Sequence, residues 1–417
     1  MSLLRTLSLL LIILAAPAGL MVWAFPQGLS LARTLGIAVG WMGCGLLLAS
    51  LLLMLRETWL ARWLGGLERM YRWHHRAGVA AYVLLLFHPL FLAADALPNA
   101  PLSAWQVLSP FSQGLPVWLG WLSMLLLMAG LATTFQARIP YRLWRWLHVG
   151  LGLAVLLGLV HLVLLGIEEP VLPILGLALM LLGWRVVRGD LGLAARPYVV
   201  QSAEQVAQDM VEISLTPLAG AVALRPGQFV LVAFFAGPTF RGCGEFHPFT
   251  VSWVGASHQF RIGVKALGDC TRHLQSIEAG VKARVHGGFG DFLADRPTGP
   301  QLWIAGGIGI TPFLGVLREE AIQHPVTLFY FYRAESDAAF LQELRNLADG
   351  HGQLSLRALV TGNAAPDLAS LLPDAQGLAG QECYLCGPPP MIATLKKLFH
   401  ERGLAPRHVH FEDFGFR

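Results

Sequence analysis

Two kinds of apolar spacing divide this chain. As far as about residue 190 the apolar residues run almost without interruption, broken only by short clusters of arginine, glycine and proline; beyond about residue 196 they fall into short alternating runs and then into strand and helix periods. A hydrocarbon core about 30 Å thick takes roughly 20 apolar residues per helix. Six stretches of the first part reach or approach that length: 4–24, 32–55, 74–94, 116–136, 146–166 and 170–187. The first follows Arg5 as a signal peptide would, but its apolar run is long and has no small-residue cleavage site, so a retained helix is expected.

In the second part, Tyr198–Val200, Val211–Leu215, Phe229–Phe235 and Phe260–Val264 alternate and are separated by Gly and Pro, which predicts a small antiparallel barrel. From residue 301 the pattern changes. Leu302-Trp303-Ile304-Ala305 reads as a buried strand, followed by the loop Gly306–Pro312 and a helix through Glu320. Strand 326–332, helix 337–348, strand 354–360, strand 382–386 and helix 390–402 continue the alternation of a doubly wound α/β domain. The expected order is a six-helix transmembrane bundle over 1–190, an antiparallel β-barrel domain over 196–297 and an α/β doubly wound nucleotide-binding domain over 298–417.

Composition agrees with a bilayer for the first part. Of 417 residues 55% are hydrophobic and 13% charged, with mean hydropathy +0.55, which excludes intrinsic disorder and an entirely water-soluble globule. Five cysteines are too sparse for a disulfide-stapled scaffold. Residues 1–189 hold 12 arginines, no lysine and 5 acidic residues, whereas the remainder holds 18 basic and 21 acidic residues. No basic patch remains to suggest nucleic-acid binding.

The arginines set the expected topology. Arg5, the group Arg56, Arg62, Arg69 and Arg72, the group Arg138, Arg142 and Arg145, and the pair Arg185 and Arg188 all fall on one side of the six spans. By the positive-inside rule that side is cytoplasmic. A multi-pass protein of a bacterial-type inner (plasma) membrane is expected, with both termini in the cytoplasm. Arg33 falls on the opposite side, as an interfacial residue or as a cation that could pair with an anionic group there.

Intramembrane histidines are expensive and mark function. His74, His75 and His88 fall on the third span, His148 and His161 on the fifth. These spans run in the same direction, so the histidines form two levels. The 14-residue step from His74 to His88 rises about 21 Å and leaves both rings within about 40° of one face, which favours His74 over His75. The 13-residue step from His148 to His161 turns its rings apart, so span five must either bend or present its rings at different angles, with Gly150, Gly152 and Gly158 as the places that permit it. Facing imidazoles in an apolar bundle suit an iron porphyrin, and the reading is two b-type haems, His74 with His148 and His88 with His161. Zinc would need its ligands clustered, not separated by about 20 Å.

In the second part, the glycine loop between strand and helix lets backbone N–H groups approach a pyrophosphate. A second loop at a strand's carboxyl end, Cys386-Gly387-Pro388-Pro389-Pro390-Met391, strengthens that reading. Cys383 and Cys386 are spaced as CxxC, but without a second such pair they read as ordinary strand and loop cysteines.

His247-Pro248-Phe249-Thr250, Val264-Lys265-Ala266-Leu267-Gly268-Asp269-Cys270-Thr271, Gly306–Pro312 and Cys386–Met391 occur in the order found in the ferredoxin-NADP reductase superfamily. With the six spans and the histidine layout before them, the whole chain resembles the NADPH oxidase and ferric reductase transmembrane family. The resemblance implies FAD on the barrel, with His247, Pro248, Phe249 and Thr250 lining the flavin, Lys265 in the adjoining motif and Thr271 near the pyrophosphate. It implies NADPH or NADH on the α/β domain, held by Gly306, Gly307, Gly309, Thr311, Pro312, Cys386, Gly387 and Pro388. Arg333 stands where an arginine meets a 2′-phosphate, which leans toward NADPH. The tail Phe411–Arg417 resembles a segment whose aromatic ring covers the flavin, with Phe416 as that ring and Phe414 as the alternative; Phe416 and Cys386 are the expected catalytic residues.

Three features depart from the family pattern. Gly287-Gly288-Phe289-Gly290 replaces a Gly-Pro-Tyr-Gly type of turn. Leu92, four residues beyond His88, stands where oxygen-reducing animal members have a second histidine. Calcium-binding repeats and long extracytoplasmic loops are not seen, so little regulation from within the chain is expected. The implied function is a transmembrane oxidoreductase passing electrons from NAD(P)H through FAD and two haems to a ferric chelate, with O2 as the alternative acceptor. A module that feeds electrons to a periplasmic partner protein is the other reading.

Overall fold

The computed structural model describes residues 15, 19 and 22–412, apart from 99, 136–138, 140, 238, 295, 320, 321 and 363–365. Nearly all of the expected first span, 4–24, and both candidate tail rings, Phe414 and Phe416, lie outside the described residues. The chain divides into two compact units between Leu191 and Gly192.

The first unit is helical. Helix α1 (Leu31–Leu53) leads through a short α2 (Thr58–Leu64) to the long α3 (Leu67–Ala96), then to α4 (Pro101–Leu108) and α5 (Leu115–Phe135). There follow α6 (Tyr141–Val149), α7 (Leu151–Leu164) and α8 (Glu168–Trp184), the last continued by a π-helical turn over Arg185–Asp190. Among the described residues five helical stretches are long and apolar enough to cross a membrane: Leu31–Leu53, Leu67–Ala96, Leu115–Thr134, Leu143–Leu164 and Glu168–Asp190.

Two differences from the sequence reading have physical causes. Helix α3 starts at Leu67 rather than at 74, because Leu67 and Met70 are buried and continue the apolar face while Arg69 and Arg72 carry their charges toward water. The fifth span is two helices, interrupted at Gly150 between its two histidines. Gly150 keeps a right-handed helical conformation and its N–H bonds to the Trp146 carbonyl at 3.1 Å, so the two helices follow one another as a single apolar stretch.

Close approach of backbones holds the bundle together. On α1, a Cβ added to Gly36, Gly40 or Gly43 would lie 3.0 Å from Leu92 Cδ2, 2.7 Å from His88 Nδ1 or 2.6 Å from Leu85 Cγ, all on α3. These glycines recur at i, i+4 and i+7, the small-residue stripe by which apolar helices pack in lipid. Exposed Trp59 and Trp63 on α2 and exposed Trp105 on α4 supply the interfacial aromatics that such a bundle carries.

In the second unit, β1 (Arg196–Ala207), β2 (Met210–Pro217), β3 (Phe229–Phe234), β4 (His247–Val254), β5 (Phe260–Lys265) and β6 (Lys282–Phe289) form a closed barrel in the order β1-β2-β5-β4-β3-β6. Every pairing is antiparallel. A short α9 (Asp269–His273) follows β5. The Gly287-Gly288-Phe289-Gly290 turn needs correction: Gly287, Gly288 and Phe289 are the end of β6, and only Gly290 leaves it. Phe289 is buried and its ring stacks on Phe229 at 5.7 Å, which draws the segment into the barrel.

The barrel is followed by β7 (Gln301–Gly306), α10 (Thr311–Glu319), β8 (Val326–Tyr332), α11 (Leu341–Gly350) and β9 (Leu354–Val360). Then come α12 (Leu368–Leu371), α13 (Ala375–Leu378), β10 (Glu382–Cys386), α14 (Pro389–Glu401) and β11 (Val409–Glu412). The sheet is parallel, in the order β11-β10-β7-β8-β9. Helix α11 starts later than the expected 337, because Phe340 adopts φ of 61° and a left-handed residue cannot continue a right-handed helix. Strand β11 has no counterpart in the sequence reading; at four residues it is too short for a period to register.

The barrel and the sheet share an ion-pair network. Arg318 on α10 donates from Nη1 to Glu212 Oε1 on β2 at 2.6 Å and from Nε to Glu343 Oε1 on α11 at 2.7 Å. Ser252 Oγ donates to the same Glu212 oxygen at 2.7 Å, so this buried carboxylate is well satisfied.

Candidate functional site

The strand order turns at β7. Its chain successor β8 lies on one side and β10 on the other, so the crevice at the carboxyl ends of β7 and β10 is the topological switch point, where open α/β sheets bind dinucleotides. The register pairs Ala305 with Cys386, so the loops that follow, Gly306–Ile310 and Gly387–Pro388, leave the sheet side by side. Gly307 has φ of 54°, and a Cβ on Gly309 would fall 2.2 Å from the Cys386 carbonyl oxygen. Neither position accepts a larger residue without moving the loop. Thr311 Oγ1 donates to the Ile308 carbonyl at 2.9 Å and Pro312 lies in the first turn of α10, so these two residues fix the helix entry. Cys386 itself is buried, and Arg333 is exposed just past the carboxyl end of β8.

Barrel residues reach this crevice. A Cβ on Gly307 would lie 3.7 Å from Lys265 Nζ, at the end of β5. His247 and Pro248, the first two residues of β4, are half-buried, whereas Phe249 belongs to the barrel core and Thr250 is buried next to it. The Thr271 hydroxyl accepts from the N–H groups of Leu267 and Gly268, each at 2.9 Å, and shapes the turn after β5. Strand β11 pairs Glu412 with Cys386, so the chain enters its C-terminal tail at this same end of the sheet.

The histidines of the helical unit form two levels. The rings of His74 and His148 stand 5.8 Å apart with planes inclined at 69°. His75 is exposed. The other level holds His88 and His161, each ring set against a backbone carbonyl of a neighbouring segment. Three of the four rings are oriented alike. His88 Nδ1 donates to the Gly36 carbonyl at 2.8 Å and His161 Nδ1 to the Pro116 carbonyl at 2.7 Å. His74 Nδ1 lies 3.0 Å from the Ser50 carbonyl and 2.7 Å from its hydroxyl.

A carbonyl only accepts, so in His88 and His161 Nδ1 carries the proton and Nε2 keeps its lone pair, while the Ser50 carbonyl and hydroxyl give His74 Nδ1 both an acceptor and a group that can donate or accept. This arrangement prepares an imidazole as a metal ligand. His148 Nδ1 is buried without a hydrogen-bond partner, and its ring stacks on Trp144 at 4.9 Å. Metal–imidazole bonds of about 2 Å put two rings about 6 Å apart across one ion, so the separation of His74 and His148 suits a shared metal. A cavity of about 150 Å³ opens at this level, walled by His74, His148, Ser50, Tyr82 and Arg185 among others.

The sequence reading missed the groups that aim the rings. Gly36, Ser50 and Pro116 act through backbone carbonyls, and Gly40 and Gly120 make room: a Cβ on Gly120 would lie 3.1 Å from His161 Nδ1. The Gly36–Gly40–Gly43 spacing was the visible signal. Arg33 forms an exposed ion pair with Asp95 at 3.7 Å.

A helical bundle with paired histidines, joined to a barrel and a dinucleotide-type sheet, defines a membrane oxidoreductase of modular build. Comparison with known families agrees: residues 39–159 match the ferric reductase like transmembrane component, and residues 303–397 match the oxidoreductase NAD-binding domain. Two separate stretches of the chain thus match two domain types, a ferric reductase like transmembrane component and an oxidoreductase NAD-binding domain, and the first falls among helices long and apolar enough to cross a membrane.

Among curated relatives, it is 28% identical over 47% of its length to the ferredoxin–NAD(P)(+) reductase component of naphthalene 1,2-dioxygenase/salicylate 5-hydroxylase systems from Ralstonia sp, covering 62% of that protein. It is 33% identical over 38% of its length to the heme-dependent oxidative N-demethylase beta subunit of Ectopseudomonas mendocina, covering 51% of it. The chain spans less than two thirds of either relative. Among solved structures, a flavohemoglobin from Malassezia yamatoensis aligns with 18% identity over 82% of this chain and 87% of that one, with a TM-score of 0.49.

Proposed function

We propose that this protein carries electrons from NAD(P)H across a membrane to an external acceptor, with FAD and two b-type haems as resident cofactors. Flavin and haem supply the conversion of a hydride into single electrons and their passage through an apolar bundle. The observation that carries the reading is the shared orientation of His74, His88 and His161, each with Nδ1 against a backbone carbonyl and Nε2 left to bind metal.

The chain's own residues bind and orient. His74 and His148 hold one haem, His88 and His161 the other, and Arg185 offers a cation at the first of these sites. His247, Pro248 and Thr271 border the flavin, with Phe249 and Thr250 shaping the strand beneath it. Gly306, Gly307, Gly309, Thr311, Pro312, Gly387 and Pro388 form the dinucleotide crevice, with Cys386 at its floor and Phe416 as the ring over the flavin. Exposed Arg333 favours NADPH. The arginine distribution supports cytoplasmic termini in a bacterial-type inner membrane, with the acceptor on the far side.

A ferric chelate is the favoured acceptor. At the level of His88, Leu92 packs against Gly36 where a second histidine would serve oxygen chemistry. The deciding experiment loads the purified protein with FAD, reduces it with NADPH without oxygen, and follows haem reoxidation after adding air or a ferric chelate. Fast reoxidation by iron and slow reoxidation by air is expected. Rapid reoxidation by air with release of superoxide makes it an oxidase, dependence on a copurified periplasmic protein makes it an electron-feeding module, and failure of NADPH to reduce any haem overturns the electron path.

A further inference from the structure

One pair of cysteines has no part in the function described so far. Cys243 and Cys270 are joined as a disulfide, with Cα atoms 5.8 Å apart, inside the span such a bond requires. They come from two separate segments of the barrel domain. Cys243 lies in the loop 235–246 that leads into β4, and Cys270 in α9 just before Thr271. On the reading above, both segments border the FAD.

The loop is folded so as to present Cys243. Gly244 N donates to the Phe234 carbonyl at 2.9 Å and Gly237 N to the Phe240 carbonyl at 2.9 Å, which turns the chain back on itself. A Cβ on Gly242 would fall 2.2 Å from the Phe235 carbonyl carbon, so the turn is pressed against the end of β3. The Cys243 side chain is thereby held toward α9.

The other cysteines are placed differently. Cys44 lies in α1, and Cys383 and Cys386 are buried in β10, where burial pushes the Cys383 thiol up to about 12. Cys243 and Cys270 are only half-buried, within reach of small oxidants and thiols. His247 completes the cluster, with a ring nitrogen and the two sulfurs all within 4.8 Å of one another. A protonated imidazole beside a thiol stabilises the thiolate, the reactive form.

We propose that Cys243 and Cys270 form a reversible redox modification site that sets how firmly the flavin is held. The proposal rests on the flavin reading above. In the oxidising direction one thiolate attacks hydrogen peroxide to give a sulfenic acid and water. The second thiol displaces a second water, so two thiols and one peroxide become one disulfide and two waters. In the reducing direction a dithiol supplies two electrons and two protons and is itself oxidised to a disulfide. The disulfide ties the loop before β4 to the turn that Thr271 orders, so both borders of the flavin site move together. Once reduced, the loop must be ordered at the expense of FAD binding, which raises the rate of FAD release about threefold to tenfold. In a compartment poised by dithiols the pair is reduced until oxidant rises.

The test uses the full chain in detergent, loaded with FAD and incubated with either hydrogen peroxide or excess dithiothreitol. Free thiols are alkylated, the digest is mapped by mass spectrometry, and FAD release is followed by flavin fluorescence. The Cys243–Cys270 linked peptide is expected after peroxide and absent after dithiothreitol, with faster FAD release in the reduced protein. Cys243→Ser and Cys270→Ser should release FAD at the reduced rate under both treatments; the wild-type comparison stands without them if either fails to fold. Absence of the linked peptide after peroxide, or equal release in both states, overturns the proposal. If FAD binds in neither state, the flavin reading falls and the proposal with it; if FAD binds and the disulfide cycles without effect on release, the proposal alone falls. One zinc per chain, lost in each serine variant, would make the cluster a metal site instead.

Discussion

The imidazoles of His74 on α3 and His148 on α6 face each other at 5.8 Å with their planes 69° apart. Only His74 has a backbone carbonyl, that of Ser50, to orient it. Ser50 is in the last turn of α1, where Met54 N bonds to Leu51 rather than to Ser50, which leaves this carbonyl for the histidine. His74→Ala should therefore lower haem content from two per chain to one, and His75→Ala should leave it at two. A pyridine haemochrome assay on both purified variants reads the difference.

Gly40 backs the other level. A methyl there would lie 2.7 Å from His88 Nδ1 and would push the ring off the Gly36 carbonyl. Gly40→Ala should lose or shift the reduction potential of one haem and spare the other. Gly176→Ala, on α8 with open space around its Cβ and outside the His74/His148 cavity, is the control. Redox titration of the haem absorbance resolves the two.

In the crevice, Gly309→Ala would drive a methyl to 2.2 Å from the Cys386 carbonyl oxygen. The two dinucleotide loops would separate. A displacement of this order costs about 10²-fold in rate when it disturbs a reacting geometry, so flavin reduction by NADPH should slow by about that factor. FAD content should be unchanged. Stopped-flow absorbance of the flavin is the measurement.

Arg318 and Glu212 are both buried, at 9% and 5% side-chain exposure. Arg318→Met leaves Glu212 without its principal cation and should destabilise the second unit by about 3–5 kcal/mol. Glu343→Gln, on a more exposed partner, should cost less. Thermal unfolding followed by flavin release compares the two variants.

At the start of β10, Glu382 accepts from His408 Nδ1 at 2.6 Å and from His410 Nε2 at 2.8 Å. Partial burial pushes its carboxyl up, but these two histidine hydrogen bonds outweigh that and hold it below the usual carboxylate range. A group depressed on folding contributes stability above its unfolded pKa and loses it as pH falls through the folded value. Wild-type Tm should therefore decline as the solution is acidified through the carboxylate range, and Glu382→Gln should weaken that decline. Melting curves across pH check the sign.

Much of this architecture was readable from one-dimensional pattern, because pattern is what lipid and sheet impose. Long apolar runs read as membrane helices, and strands 326–332, 354–360 and 382–386 match the structure to the residue because turn residues bound each of them. The histidine levels followed from helical rise alone. Other features depended on contacts between segments far apart in the chain. The Ser50, Gly36 and Pro116 carbonyls behind the rings, and the pairing of Cys243 with Cys270, leave no periodic trace. A carbonyl's free lone pair or a glycine's missing methyl acquires meaning only when another helix arrives opposite it, and that arrival is set by packing in three dimensions.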